Sequence, residues 1–104
     1  MDIVSSLEGM LERGQDSALL RFSLGGEYVK RAEWTPAIEH LRVALRQDPN
    51  YSAAYKLLGK ALAEDDQGEA ARQVYTKGIR VAEARGDKQA AKEMTVFLRR
   101  LDKK

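Results

Sequence analysis

The chain has 104 residues with nearly balanced charge, 18 Lys or Arg against 16 Asp or Glu, and this length suits one domain with a modest core. The absence of cysteine excludes a disulfide framework and a thiolate metal site. Because no apolar run reaches membrane-spanning length and the N-terminus lacks the basic start and apolar stretch of a signal peptide, we expect a cytoplasmic protein that does not cross a membrane.

The first two predicted elements are amphipathic helices joined by a short turn. Apolar residues recur at helical spacing from Ile3 to Leu11, which predicts a helix over about 2–12. Gly14 is expected to end this helix, and Asp16 to cap the second one.

The middle of the chain predicts two more helices, separated by a proline break. Thr35 offers a capping hydroxyl, and Pro36 suits the first helical position, where a missing N–H costs nothing. This third helix is expected to end near Gln47, before the break at 48–50, and the fourth to span about 51–65.

Two further helices complete the chain. Asp66 and Glu69 have the spacing of a capping box, so the fifth helix is expected to start there and to run to about Ala84. A turn at Gly86 then leads into a sixth amphipathic helix over about 88–101. The sequence thus predicts an all-α protein.

A repeat of thirty-four residues relates the second helix to the fourth and the third to the fifth. Leu24 and Gly25 recur as Leu58 and Gly59, and the flanking pattern recurs with them. A period of this length indicates stacked copies of one helix-turn-helix unit.

The repeated positions resemble the tetratricopeptide repeat, whose pattern is aromatic-x2-Leu-Gly-x2-Tyr, then Ala-x3-Phe, then Pro. The units span 18–51 and 52–85. They depart from the pattern at Arg21, where an aromatic residue is usual, at Gly78, where alanine is usual, and at Glu83, where proline is usual. The positions that carry the resemblance are Leu24, Gly25, Tyr28, Ala37, Leu41 and Pro49 in the first unit, and Tyr55, Leu58, Gly59, Leu62, Ala71 and Tyr75 in the second.

This resemblance implies a short right-handed α-solenoid of antiparallel helix pairs. The first helix falls where the second helix of a missing unit would lie, and the sixth where the first helix of a next unit would lie. We therefore expect one domain over 1–104, with two full repeats flanked by half-repeat helices. Because one repeat cannot bury its apolar face alone, this length is near the minimum for stability.

Gly25 and Gly59 fall inside predicted helices, where glycine costs about 1 kcal/mol relative to alanine. We expect this cost to be offset because each glycine lets the following helix approach closely, at the small residues that the following helix carries.

Residues suited to catalysis or metal binding are sparse. His40 is the only histidine and has no cysteine or HExxH-type partner, so we expect an exposed helix residue without a special role. The serines lack an activating motif, and Gly25-Gly26 lacks the glycine spacing and the lysine of a phosphate loop. We expect no enzyme, no cofactor, no metal and no small-molecule substrate.

In the tetratricopeptide repeat family, the first helices of the units line a concave groove that usually holds a segment of another protein. The resemblance places these residues on the groove: Leu19, Phe22, Gly26, Val29, Lys30, Lys56, Leu57, Lys60, Lys92 and Arg99. Apolar side chains beside cations suit a peptide with hydrophobic anchors and an acidic group. At Gly26, the missing side chain could admit a ligand backbone or merely soften the helix. The expected function is a non-catalytic protein–protein interaction module.

Two other functions compete with groove binding. The terminal helices carry apolar surface, so copies could stack end to end as a structural unit, which gives a monomer or a weak homo-oligomer. The basic segment 77–104 has nine Lys or Arg against four Asp or Glu and could attract nucleic acid. The lack of interleaved aromatic residues and the nearly neutral chain argue against nucleic-acid binding.

Overall fold

The computed structural model describes residues 2–103, and in this range every regular element is an α-helix. The helices are α1 (Ile3–Glu12), α2 (Ala18–Lys30), α3 (Trp34–Gln47), α4 (Ser52–Glu64), α5 (Gly68–Arg85) and α6 (Lys88–Asp102). The all-α class predicted from the sequence is confirmed.

Each helix packs against the next one in the chain. In addition, the even-numbered helices contact one another. α2 lies against α3 and α4 against α5, while α2 also touches α4 and α4 touches α6. We call α2, α4 and α6 the first-helix row. This row forms one continuous surface, on which the family groove is expected.

The core is built from large side chains that cross between the helix pairs. Leu41, Leu58, Leu62 and Met94 are at most 2% exposed. A smaller cluster, in which Val4 of α1 meets α2, covers the other end of the stack. α1 therefore closes the end of the α2–α3 pair and does not lie across the first-helix row.

Three predicted helix caps differ from the observed ones. The Ser17 hydroxyl, not Asp16, caps α2 by accepting a hydrogen bond from the Leu20 N–H at 3.1 Å. At the starts of α3 and α5 the N-cap residues are Glu33 and Gln67, and neither forms a side-chain cap. Thr35 therefore does not cap α3, and Asp66 and Glu69 do not form a capping box at the start of α5.

The backbone at the turns before α3 and α5 explains why these two helices do not begin at the predicted caps. Ala32 and Asp66, thirty-four residues apart, both adopt the left-handed conformation, with φ of 56° and 59°. The N–H of the next residue then bonds to a carbonyl five residues back, from Glu33 to Tyr28 and from Gln67 to Leu62. The preceding helix ends in a Schellman-type reversal, which fixes where the next helix begins.

The two glycines at the repeated position inside α2 and α4 mark close approaches between helices. A Cβ atom at Gly25 would lie 2.6 Å from Leu41 Cγ, and one at Gly59 would lie 2.6 Å from Tyr75 Cδ1. The contacts are thus made by the large residue of the next helix, and not by its small residues as the sequence suggested. Each glycine is a notch that receives one bulky side chain.

Candidate partner-binding groove

The apolar residues predicted for the groove differ widely in exposure. Leu19 is 66% exposed, more than any other large apolar side chain of residues 2–103. Phe22 and Val29 are half-buried against the core, and the Phe22 ring lies 4.8 Å from the Tyr51 ring. Leu19 is therefore the apolar anchor that a partner could reach on α2.

Gly26 lies at the junction of α2 and α4. A Cβ atom at Gly26 would come within 3.7 Å of Leu57 Cδ2, an ordinary van der Waals contact. α2 runs unbroken from Ala18 to Lys30, so a softened helix is not observed there. Gly26 and Leu57 thus lie where two helices of the row, α2 and α4, meet.

Two of the predicted groove cations are paired within the protein. Lys30 contacts Glu27 at 3.0 Å, and Lys56 contacts Glu93 of α6 at 2.9 Å. Both pairs are at least partly exposed, where an ion pair contributes little to stability. They do, however, offset the charge that these lysines would offer to a partner.

Lys60 lies instead at a cleft between α4 and α6. The cleft has a volume of about 310 Å³ and is lined by Lys60, Ala63, Glu64, Tyr75, Phe97, Arg100 and Leu101; we call it the α4–α6 cleft. Lys60 and Arg100 are exposed, and neither forms an ion pair with any residue of 2–103. The cleft therefore joins an apolar interior to two cations that have no ion-pair partner in the described range 2–103.

The aromatic side of the α4–α6 cleft is formed by Tyr75 and Phe97. The Tyr75 ring is buried and lies 5.8 Å from the Phe97 ring. Burial, reinforced by the Glu64 charge, raises the pKa of Tyr75 to about 12, so the hydroxyl is neutral at physiological pH. The Arg100 guanidinium carbon lies 5.8 Å from the centre of the Phe97 ring, within reach of a cation–π contact.

Lys92 and Arg99 line a different depression. It has a volume of about 440 Å³ and also contains Glu83 of α5 and the exposed Val96. The structure therefore does not bring these two cations into the α4–α6 cleft. The predicted groove combined them with Lys56 and Lys60, and it did not include Phe97 and Leu101, which line the cleft beside Arg100. The signal available was their spacing on one face of α6.

Leu19 lies at a third, more apolar depression. It has a volume of about 510 Å³ and lies between α1 and α2, where Leu7 and Met10 face Leu20 and Ser23. The exposed Leu19 forms part of its wall. Leu19 thus offers apolar surface where α1 meets α2, whereas the α4–α6 cleft combines apolar surface with cations.

His40 is not the exposed residue that the sequence suggested, because a polar network encloses it. Its side chain is 13% exposed, and its ring stacks on Tyr28 at 5.7 Å. Arg21 donates from Nη1 to His40 Nδ1 at 3.1 Å, which assigns the imidazole proton to Nε2, 3.3 Å from Glu8 Oε1. The Tyr28 hydroxyl donates to the same Glu8 oxygen at 3.3 Å. His40 therefore ties α1, α2 and α3 together.

Arg21, at the position where the family has an aromatic residue, anchors this network to Asp16. Its Nε and Nη2 atoms each donate to an Asp16 oxygen at 2.9 Å. These bonds, with a further one from Gln47, hold the pKa of Asp16 well below its usual range. The departure from the family pattern thus replaces an apolar contact with charged hydrogen bonds.

The Asp16 network predicts a pH-dependent difference between the wild type and Asp16→Asn. A carboxyl group whose pKa is lowered by folding adds stability above its unfolded pKa and loses that stability as the pH falls. Asp16→Asn should therefore be less stable than the wild type at pH 7, and the difference should shrink below about pH 4, the ordinary range of an aspartate. Urea denaturation at a series of pH values measures it.

The control for this experiment is Glu39→Gln, at an exposed position of α3 where the described residues provide no ion pair. A difference between the wild type and Asp16→Asn that stays constant from pH 7 to about pH 2 would contradict the prediction.

Over residues 2–103, no group of three or more His, Cys, Asp or Glu side chains is arranged to hold a metal ion. Within the same range, none of the helices combines the length and the apolar character needed to cross a bilayer.

Comparison with known proteins supports the repeat assignment. No family model matches the sequence. A TPR repeat-containing protein of Pseudomonas aeruginosa is 50% identical over 101 residues, which cover 97% of this chain and 96% of that protein. The solution structure of a Bordetella parapertussis protein superposes with a TM-score of 0.88 at 46% identity, over 99% of this chain and 90% of that one.

A more distant likeness shows the fold alone. The crystal structure of a tetratricopeptide repeat domain protein from Salinibacter ruber superposes with a TM-score of 0.78 at 24% identity, over 84% of this chain and 97% of that one. The fold, the repeated glycine notches and the full-length likeness to the Pseudomonas protein agree with one another. The chain therefore belongs to the tetratricopeptide repeat family.

Proposed function

We propose that the protein is a non-catalytic interaction module that binds a segment of another protein along the first-helix row. Tetratricopeptide repeat proteins generally mediate protein–protein interactions. The observation that carries the proposal is the α4–α6 cleft, where apolar and aromatic side chains lie beside two cations without an ion pair among residues 2–103. The exposed Leu19 provides a second anchor on the same row.

Apolar anchors that lie some distance apart on one groove suit an extended or helical segment better than a small molecule. A few anchors carry most of the binding energy of an interface, and the surrounding polar contacts set its specificity. The chain supplies such anchors on α2 and on α6, with the Gly26–Leu57 junction between them. A cytoplasmic location is part of the proposal and rests on the cysteine-free sequence.

Affinity capture with chemical cross-linking tests this function. The wild type should retain a partner that the double variant Leu19→Ser, Lys60→Glu retains several-fold less, because the variant removes one apolar anchor and reverses one cation. Both positions are exposed, so the fold should be preserved, and circular dichroism checks this. Cross-links should map to α2, α4 and α6.

The matched control is Lys77→Glu, which makes the same charge change on α5, outside the first-helix row. Capture of the same proteins in equal amounts by the wild type and the groove variant would overturn the proposal.

End-to-end self-association is a second candidate, favoured by exposed apolar side chains near the two ends of the stack. Ile3 of α1 is 53% exposed and Val96 of α6 is 38% exposed. Sedimentation at increasing concentration should show association that Val96→Glu abolishes. A strict monomer at high concentration removes this candidate.

A further inference from the structure

We propose that the α4–α6 cleft selects a large apolar side chain of the partner that has a carboxylate next to it. This inference rests on the proposed groove-binding function and names the chemistry of the partner. It concerns one end of the groove, built by Lys60 of α4 and by Phe97 and Arg100 of α6.

The interior of the cleft favours an apolar group. Ala63, Phe97 and Leu101 are partly buried hydrophobic residues packed against the core, and the Tyr75 ring closes the inner side. The Tyr75 phenol is neutral at physiological pH, as tyrosines ordinarily are, so the interior contributes no charge of its own. A leucine or phenylalanine side chain entering here removes apolar surface from water on both molecules.

The mouth of the cleft favours an anion. Lys60 and Arg100 face a single lining acid, Glu64, so the lining is net positive. Two other cations of the first-helix row are paired, Lys30 with Glu27 and Lys56 with Glu93, whereas Lys92 and Arg99 lie in a separate depression that has no aromatic wall among residues 2–103. A carboxylate that stands next to an apolar side chain would therefore be attracted to Lys60 and Arg100, because here the cations and an apolar interior share one cleft.

Arg100 is suited to hold a carboxylate in a fixed place. Its guanidinium lies near the face of Phe97, which restricts the side chain while its N–H groups can still point toward the mouth. Phe97 thus lines the apolar interior and also contacts Arg100. A partner that offers both groups close together satisfies both at once.

Glu64 makes the proposal testable in two directions. It is exposed and forms no ion pair with residues 2–103, so it opposes the approach of a carboxylate. Removing the Glu64 charge should strengthen acidic binding, while removing the Lys60 or Arg100 charge should weaken it.

The probe is a blocked hexapeptide, acetyl-Gly-Asp-Leu-Phe-Asp-Gly-amide, compared with the uncharged peptide in which both Asp are Asn. Titration into the ¹⁵N-labelled full chain should shift the amide signals of Ala63 and Phe97, with a lower Kd for the acidic peptide. Each of Lys60→Gln and Arg100→Gln should raise that Kd by about two- to fivefold, as expected for one partly exposed ion pair.

Glu64→Gln should lower the Kd of the acidic peptide, and Lys77→Gln should leave it unchanged. Equal Kd values for the acidic and uncharged peptides, or shifts confined to residues outside the cleft, would overturn the inference. If the capture experiment succeeds but the acidic and uncharged peptides bind equally or shift only residues outside the cleft, the groove function stands and only the cleft chemistry is wrong. If the peptides behave as expected but capture is identical for the groove variant, the proposed function is wrong.

Discussion

Leu58→Ala is expected to lower the free energy of unfolding by about 2–5 kcal/mol. Leu58 is 2% exposed and belongs to the core cluster that joins α3, α4, α5 and α6. The substitution removes apolar contacts and leaves a cavity that the surrounding helices fill only partly. Since small domains are stable by about 5–15 kcal/mol, this is a large share of the total.

Urea denaturation followed by circular dichroism measures this effect, and Leu19→Ala is the matched control. Leu19 is 66% exposed, so the same truncation there should change stability by about 0.5 kcal/mol or less. Equal losses for the two variants would show that Leu58 is not the core residue described.

Gly59→Ala is expected to destabilise the protein by about 1–3 kcal/mol, against the usual trend. At an ordinary position inside a helix, alanine is favoured over glycine by about 1 kcal/mol. Here the added Cβ would lie 2.6 Å from Cδ1 and Cζ of Tyr75, a distance at which the ring or α5 must shift. Tyr75 is itself 3% exposed, so the ring has little room to move.

Gly68→Ala provides the control for this substitution. Gly68 begins α5, and a Cβ built there meets no atom within 4 Å. When the stabilities of both variants are measured by thermal denaturation, Gly68→Ala should be neutral or slightly more stable than the wild type. A gain in stability at Gly59 similar to that at Gly68 would contradict the notch geometry.

The helices and their stacking were largely predictable from the sequence. The thirty-four-residue repeat identified the family, and the observed helices begin and end within a few residues of the predicted limits. The apolar periodicity predicts the helices correctly because each helix must bury one apolar face. The residues of that face recur at helical spacing in the sequence. The repeat boundaries at 51 and 85 stay predictions.

The helix caps were less predictable because the backbone decides them. Asp16 has the residue type of an N-cap, but Arg21 and Gln47 engage its carboxylate, and Ser17 caps α2 instead. At Ala32 and Asp66 the chain reverses through the left-handed region, which residue type alone did not indicate. Side-chain preference states which residues can cap, whereas the reversal fixes where the next helix starts.

His40 shows the same limit in the polar network. Sequence reasoning placed it on an exposed face because nothing near it in the chain required burial. Its partners, Glu8 and Arg21, lie thirty-two and nineteen residues away, on α1 and α2. Only the packing of three helices brings these groups to hydrogen-bonding distance.

By itself, the sequence determined the class, the family and the positions of the two glycine notches, since these follow from the order of small, large and polar residues along each helix, whereas the large residue that fills each notch was found only in the structure. The tertiary structure decided which charges are paired: Lys56 is matched by Glu93 across two helices, while Lys60 and Arg100 flank an apolar cleft without such a partner in residues 2–103. The reason is physical. A helix stripe depends on neighbours three or four residues apart, whereas an ion pair or a cleft depends on which helices meet and at what register.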